Sequence, residues 1–337
     1  MEVAFVGIDL AKNVFQLHGE DAQGTPVLQR RVRRDRLMAE VEALAPCSIA
    51  IEACTGAFYW QRRFEEAGHR VRIIAPQYVK PFAKHQKNDR NDAAAICRAS
   101  RQPDMKFVPG KTLEQQDIQA LHRGRQRLVN HRTALVSQMR GLLLDRGIAF
   151  AQSISRARRE IRLLLEAETP ELSEIFRSML DQLYSCFVAL DEQIAWFDRE
   201  IEKVFRNSEV CQRLAKIRGV GPKTATAIVA AVGDGSEFSN GRHLAAWMGL
   251  VPRQHSSGNR QRLFGISKRG DRHLRTLLIH GARAVVRTSA RRDDAQAAWI
   301  RDLQARRGAA KTIVAVANKN ARIIFAMLKN QTEFRAA

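Results

Sequence analysis

Val3-Ala4-Phe5-Val6-Gly7-Ile8-Asp9 opens the chain with a short apolar run that ends on a carboxylate. The run is rich in strand formers and too short for a helix, so it reads as a buried strand. Working outward, Val14-Phe15-Gln16-Leu17-His18 and Val27-Leu28-Gln29-Arg30-Arg31-Val32 follow after turn residues, which predicts a three-stranded meander. A helix carrying Leu37, Val41 and Leu44 comes next, then a strand Ser48-Ile49-Ala50-Ile51, a helix around residues 58–66, and a strand Val71-Arg72-Ile73-Ile74 that stops at Pro76.

Three antiparallel strands followed by strand, helix, strand is the order of a ribonuclease-H-like α/β fold, a mixed sheet with helices on its faces. The first and fourth strands are neighbours in such a sheet, so Asp9 after the first and Glu52 after the fourth point into one site. Asp89 and Asp92 sit in Lys87-Asn88-Asp89-Arg90-Asn91-Asp92-Ala93-Ala94-Ala95, where the alanines predict a helix and a spacing of three puts both acids on one face. Four carboxylates gathered this way stay ionised together only with cations between them, which is the logic of a two-metal phosphoryl-transfer site. Oxygen ligands and a phosphate substrate favour Mg²⁺, with Mn²⁺ the alternative.

The chain has 337 residues and a formal net charge of +21, which excludes, as a default, an acidic enzyme acting on a neutral metabolite and points to a polyanionic partner. The excess is concentrated: residues 1–100 carry 15 basic and 12 acidic side chains, residues 101–205 carry 16 and 15, and residues 206–337 carry 25 and 8. The last third is therefore the part expected to face nucleic acid.

From about Leu113 the pattern changes to long helices. Leu121, Leu128, Leu135 and Leu142 recur every seven residues, and Leu183, Phe187, Leu190, Ile194, Phe197 and Ile201 alternate spacings of four and three. These are two segments of a coiled-coil seam, or equally the core of an ordinary helical bundle, separated by a polar region around residues 147–169. The organisation that follows is a catalytic domain over 1–105, a helical oligomerisation segment over 106–206 and a basic domain over 207–337. The last opens with Ile217-Arg218-Gly219-Val220-Gly221-Pro222-Lys223, which is similar to the turn of a helix-hairpin-helix motif. Gly219, Gly221 and Lys223 would then hold a phosphate at a helix N-terminus; a plain helix C-cap followed by a new helix would use the same glycines. Leu274–Val286 and Ile313–Leu328 read as helices with basic faces.

Cys47, Cys54, Cys97, Cys186 and Cys211 are scattered without a C-x-x-C pair, which suits small buried side chains in a reducing compartment. No apolar stretch of about 18 residues occurs, so no membrane partner is expected.

Gly7-Ile8-Asp9-Leu10-Ala11-Lys12, Ile51-Glu52-Ala53-Cys54-Thr55-Gly56 and Lys87-Asn88-Asp89-Arg90-Asn91-Asp92-Ala93 together resemble the Asp-Glu-Asp-Asp motif of the insertion-sequence transposases of the one-hundred-ten family, whose N-terminal domain is similar to the junction resolvase RuvC. Gly249-Leu250-Val251-Pro252-Arg253-Gln254-His255-Ser256-Ser257-Gly258 and Ile266-Ser267-Lys268-Arg269-Gly270-Asp271-Arg272-His273-Leu274-Arg275 resemble that family's second domain. The resemblance implies a DNA recombinase that moves its own element, with Asp9, Glu52, Asp89 and Asp92 binding metal and a serine of the second domain as nucleophile. By its place in the motif Ser257 is that serine, with Ser256 the close alternative. A serine hydroxyl needs metal or a base to attack at neutral pH. Arg253, Arg260, Arg262, Lys268, Arg269, Arg272 and Arg275 would hold donor and target DNA. The resemblance further implies a structured guide RNA, a homo-oligomer built as a dimer of dimers, and a bacterial cytoplasmic, nucleoid-associated location. Two rival readings remain: a resolvase-like nuclease using the carboxylates and water without a covalent intermediate, and a non-catalytic nucleic-acid-binding scaffold.

Overall fold

In the computed structural model, which describes residues 2–83, 88–150, 152–167, 170–258 and 260–334, β1 (Phe5–Asp9) runs through the middle of a six-stranded sheet. Lys87 of the third motif lies outside the described residues. β2 (Val14–Glu20) and β3 (Pro26–Arg33) continue from it as an antiparallel meander on one side. The chain then passes through α1 (Leu37–Glu42) and returns as β4 (Ser48–Glu52), parallel to β1 on its other side. After α2 (Ala57–Glu66), β5 (Arg70–Ile74) adds in parallel to β4. The one-turn helix α3 (Pro76–Val79) and the longer α4 (Asp89–Ser100) follow, and β6 (Phe107–Val108) closes the order β3-β2-β1-β4-β5-β6.

This is the mixed ribonuclease-H-like sheet that the sequence predicts, with the two-residue β6 added. Strand alternation decides its two faces. Val6, Ile8, Ile49 and Ile51 point to one side and meet Phe15, Leu17, Leu37, Trp60 and Phe64 under α1 and α2. Ala50 and Ile74 point to the other and meet Ala95, Ile96 and Ala99 of α4.

The chain divides into two compact units, Met1–Thr112 and Leu113–Ala337. The second begins with α5 (Leu113–Leu144), followed by α6 (Ile154–Glu166) and α7 (Glu174–Arg206). α5 and α7 pack antiparallel within the one chain, as ion pairs from Arg125 to Asp198 and from Arg132 to Asp191 (2.7 Å) and the Arg146 guanidinium over the Phe176 ring show. Leu180, Phe187, Ile194 and Ile201 of α7 are buried at a strict seven-residue spacing. On α5 the deepest residues are Val136, Met139 and Leu143, while the predicted leucines 121, 128, 135 and 142 are half-buried at the flank of that seam. The polar stretch that separates the two long helices contains α6, held by Ala157 and Ile161.

α8 (Glu209–Ala215), α9 (Pro222–Val232) and α10 (Gly241–Trp247) lead to a hairpin of β7 (Pro252–Gln254) and β8 (Leu263–Ile266). α11 (Arg272–Thr288), α12 (Ala295–Arg307) and α13 (Ala309–Asn330) complete the unit. Leu214, Ile228, Leu244, Leu278, Val316 and Ile324 form its main core. No helix among the described residues is long and apolar enough to cross a membrane.

His122 of α5 lies buried in this unit, its Nε2 3.0 Å from Thr226 Oγ1 and its ring 5.5 Å from that of His273. Burial first, then the charges of His273, Arg125 and Lys223, push its pKa down to about 4, with Asp198 opposing. An unfolded histidine titrates near 6.5, so the contribution of neutral His122 is complete above that pH and is lost as pH falls from 6.5 to 4. The depression corresponds to roughly 3 kcal/mol. Urea melts should show a steeper loss of stability over this window for the wild type than for His122→Gln; identical slopes would refute the assignment.

Candidate active site

β1 and β4 run parallel with Ile8 beside Ile51, so the next residues, Asp9 and Glu52, emerge together at one end of the sheet. Both are half-buried. Alternation puts them on the face that carries Gly7 and Ala50, where α4 packs.

α4 runs antiparallel to β1. Cys97 Sγ lies 3.8 Å from the Phe5 carbonyl, and one turn earlier the Ala93 carbonyl sits 2.3 Å from where Gly7 would carry a Cβ. One further turn back, Asp89 continues the line of Ala93 and Cys97. Four helical residues rise about 6 Å, close to the span of two strand residues, which brings Asp89 level with Asp9. Asp92 stands four residues before Ile96 and continues the line that packs on Ala50 and Ile74, toward the Glu52 side. Asn88 caps the helix by accepting from Asn91 N–H at 2.9 Å, and the two acids of the first turn suit the positive end of its dipole.

The Cys54 thiol, just beyond β4, is pushed up by desolvation first and then by the negative charges of Glu52 and Asp9. Among the described residues no group of three His, Cys, Asp or Glu side chains is gathered closely enough to hold a metal ion. What the site offers is donor chemistry: carboxylate oxygens on three adjoining elements, the ligand type of a hard divalent cation. Sequence reasoning passed over Gln16, which faces Asp9 directly across the β1–β2 ladder; the alternation of β2 would have found it.

Ser256 and Ser257 lie exposed between β7 and β8. Ser257 and Arg260 exchange backbone hydrogen bonds of 3.3 and 3.2 Å, and Gly258 takes φ 54° at the tip. Gln254 Nε2 donates to Ser256 Oγ at 2.9 Å. The base of the hairpin is held by backbone packing: a Cβ on Gly249 would lie 2.1 Å from the Arg269 carbonyl, and one on Gly270 1.8 Å from the Trp247 carbonyl. The two sequence motifs of this region are thereby locked together. The Arg275 guanidinium is half-buried and donates to the carbonyls of Met248 and Arg269 at 3.1 and 3.3 Å, which ties down the same crossing. Arg253, Arg260, Arg262, Lys268, Arg269 and Arg272 are exposed, with Arg253 over the Phe264 ring.

At the turn before α9, Gly219 takes φ 83° and packs its backbone on Gly281 of α11. Gly221 is the N-cap of α9 and has no atom within contact distance of a Cβ position. Lys223 Nζ is paired with Asp198 at 2.9 Å. Burial pushes the Asp198 carboxyl up, but hydrogen bonds from Arg125 and Lys223 hold it below its usual range.

A sheet of this order with acids at this end, joined in one chain to a basic helical part, is the make-up of a DEDD transposase, and the profile of such transposases matches residues 6–146. A second profile, described as Transposase IS116/IS110/IS902 family, matches residues 211–297. The chain is 46% identical to the "Probable family 20 transposase" of Pseudomonas aeruginosa, over 99% of each. It is 45% identical to the "Transposase for insertion sequence element IS1111A" of Coxiella burnetii, over 99% of this chain and 92% of the relative. At 27% identity it also resembles the "Pilin gene-inverting protein" of Moraxella lacunata, over 83% and 82%. The chain belongs to the IS116/IS110/IS902 family of insertion-sequence transposases.

Proposed function

We propose that this transposase cuts and rejoins DNA strands with Asp9, Glu52, Asp89 and Asp92 holding Mg²⁺ and Ser257 acting as the nucleophile. The observation that supports the reading is the in-register end of β1 and β4, which sets Asp9 beside Glu52, with α4 packed on the same sheet face and carrying Asp89 and Asp92 in its first turn. A bound divalent cation would neutralise phosphate charge and make a hydroxyl a better nucleophile. The Ser257 Oγ–P bond forms as the P–O bond to the departing sugar oxygen breaks; the serine loses its proton and the leaving oxygen gains one. Rejoining reverses the step with the hydroxyl of the new strand, so bond number is conserved and no external energy source is required.

Exposed Arg253, Arg260, Arg262, Lys268, Arg269 and Arg272 grip phosphates around the serine, while Arg275 positions the loop. Gly221 and Lys223 at the head of α9 add a phosphate contact, with Gly219 shaping the turn by its packing. A structured guide RNA chooses the DNA sequences, and strand exchange between two duplexes uses a dimer of dimers in the bacterial cytoplasm.

Adduct trapping tests the mechanism. On a nicked suicide substrate with Mg²⁺, wild type and Ser256→Ala should give a protein–DNA adduct stable to denaturant, and Ser257→Ala none. Normal cleavage with an adduct by Ser257→Ala would move the nucleophile to Ser256, and cleavage without an adduct, by the variant or by the wild type, would transfer the chemistry to water and the carboxylates alone.

A further inference from the structure

α10, α12 and α13 enclose a concavity of about 750 Å³ that none of the motifs uses. Arg242, Lys319 and Arg322 line it with the rings of Trp299 and Phe325, and no acidic side chain lines it among the described residues. The three cations are exposed, and none forms an ion pair among the described residues. Both rings are half-buried against the core, so they are held in place while part of each stays accessible. Lys319 Nζ rests over the Trp299 ring, 4.5 Å from its centroid. Asn240 also lines it; its oxygen accepts from His243 N–H and its nitrogen donates to Ser239 Oγ.

Unneutralised cations beside accessible aromatic rings are the two ingredients of single-strand recognition, charge for the backbone and a flat apolar face for the bases. Duplex DNA can use only the charge, because its bases are stacked on each other and a ring in a concavity cannot reach them. We infer that this pocket binds an unpaired stretch of DNA, with a base on Trp299 and neighbouring phosphates on Arg242, Lys319 and Arg322. Lysine is a compact charge on a flexible stem, so Lys319 passes from the ring to a phosphate as the base arrives. DNA is named because it is what a transposase handles, and strand cleavage and rejoining leave stretches of it unpaired. The inference rests in that respect on the proposed function.

Fluorescence and anisotropy titrations of the full-length protein test it with a 15-residue thymidine oligonucleotide, the matching uridine oligonucleotide and a duplex of equal length. The thymidine strand should quench tryptophan emission, and Trp299→Phe, which keeps a packed ring, should abolish most of the quenching. Arg242→Gln/Lys319→Gln/Arg322→Gln changes exposed side chains only and should weaken thymidine binding by roughly tenfold or more, with the salt slope smaller by about 2, since each single-strand phosphate contact contributes about 0.7. Duplex affinity should change by less than about twofold in the same variant. Equal losses for duplex and single strand, or an unchanged slope, would overturn the pocket, and a strong preference for the uridine strand would overturn DNA as its occupant. Failure of the proposed chemistry is read separately: a wild type that binds the thymidine strand through Trp299 but never cuts DNA with Mg²⁺ keeps the pocket and loses the enzyme.

Discussion

Asp9→Asn and Glu52→Gln should each abolish strand cleavage while leaving DNA affinity within about twofold of wild type. Divalent cations supply several kcal/mol of charge stabilisation at a transferring phosphoryl group, and each 1.4 kcal/mol is tenfold in rate, so a fall of about a thousandfold or more is expected. The substitutions remove one negative charge from the junction of β1 and β4 without changing side-chain volume, and the basic second unit proposed to grip DNA is untouched. Asp9 and Glu52 are half-buried neighbours of like charge. In Mg²⁺ the wild type should gain stability over its value in EDTA by ligand linkage, and the variants should not. Residual cleavage within tenfold of wild type, or an equal Mg²⁺ response in all three proteins, would remove the carboxylates from the metal site.

The catalytic half of this arrangement is legible in sequence because each strand announces itself. Val6, Ile8, Ile49 and Ile51 form short apolar runs, and a carboxylate at the end of each run has no packing reason to be there. Two runs in the order of this sheet then place their acids side by side by register alone. Legibility stops where the pattern does. β6 is two residues long and carries no alternation, and α6 hides in a polar stretch because only Ala157 and Ile161 of it are buried. The serine hairpin is exposed on every residue of β7, so no hydrophobic period marks it; only the likeness to family motifs singles it out.

Glycines and arginines of the second unit show the other limit. Gly219 suits a phosphate-binding turn by sequence, yet its positive φ and its backbone packing on Gly281 account for it as a close crossing of a turn and a helix. Arg275 belongs to a run of basic residues whose sequence spacing gives no ranking, and its half-buried guanidinium serves two backbone carbonyls. The reason is general: charge and glycine content are properties of a stretch, whereas what each residue meets depends on helices far away in sequence. The chain's excess of positive charge therefore points to the proposed nucleic-acid face only to within the last third, and which of its cations are exposed depends on the fold.

Gly7→Ala should unfold the first unit more readily and disable the site together. A Cβ on Gly7 would meet the Ala93 carbonyl at 2.3 Å, the Cys97 amide nitrogen at 2.5 Å and Cys97 Cβ at 2.8 Å, and the two nearest are backbone of α4, which has no rotamer to change. The helix must lift off β1 to admit one methyl group. Overpacking of this kind costs about 1–3 kcal/mol and more where the backbone is the obstacle, and the lift also loosens the contacts of Ile96 and Ala99 with Ala50 and Ile74. Asp89 and Asp92 ride on the first turn of the same helix, so they move away from Asp9 and Glu52. A misplacement of about 1 Å at a reacting centre is worth on the order of a hundredfold in rate, so cleavage should fall at temperatures where the variant is still folded. Gly141 provides the contrast, an exposed α5 position where a Cβ meets nothing; Gly141→Ala should stabilise by about 0.5–1 kcal/mol through helix propensity and leave cleavage unchanged. Urea unfolding and Mg²⁺-dependent cleavage measured on both variants decide the matter. A Gly7→Ala protein within 0.5 kcal/mol of wild type and fully active would show that α4 does not press on β1 and does not carry its two acids to the sheet end.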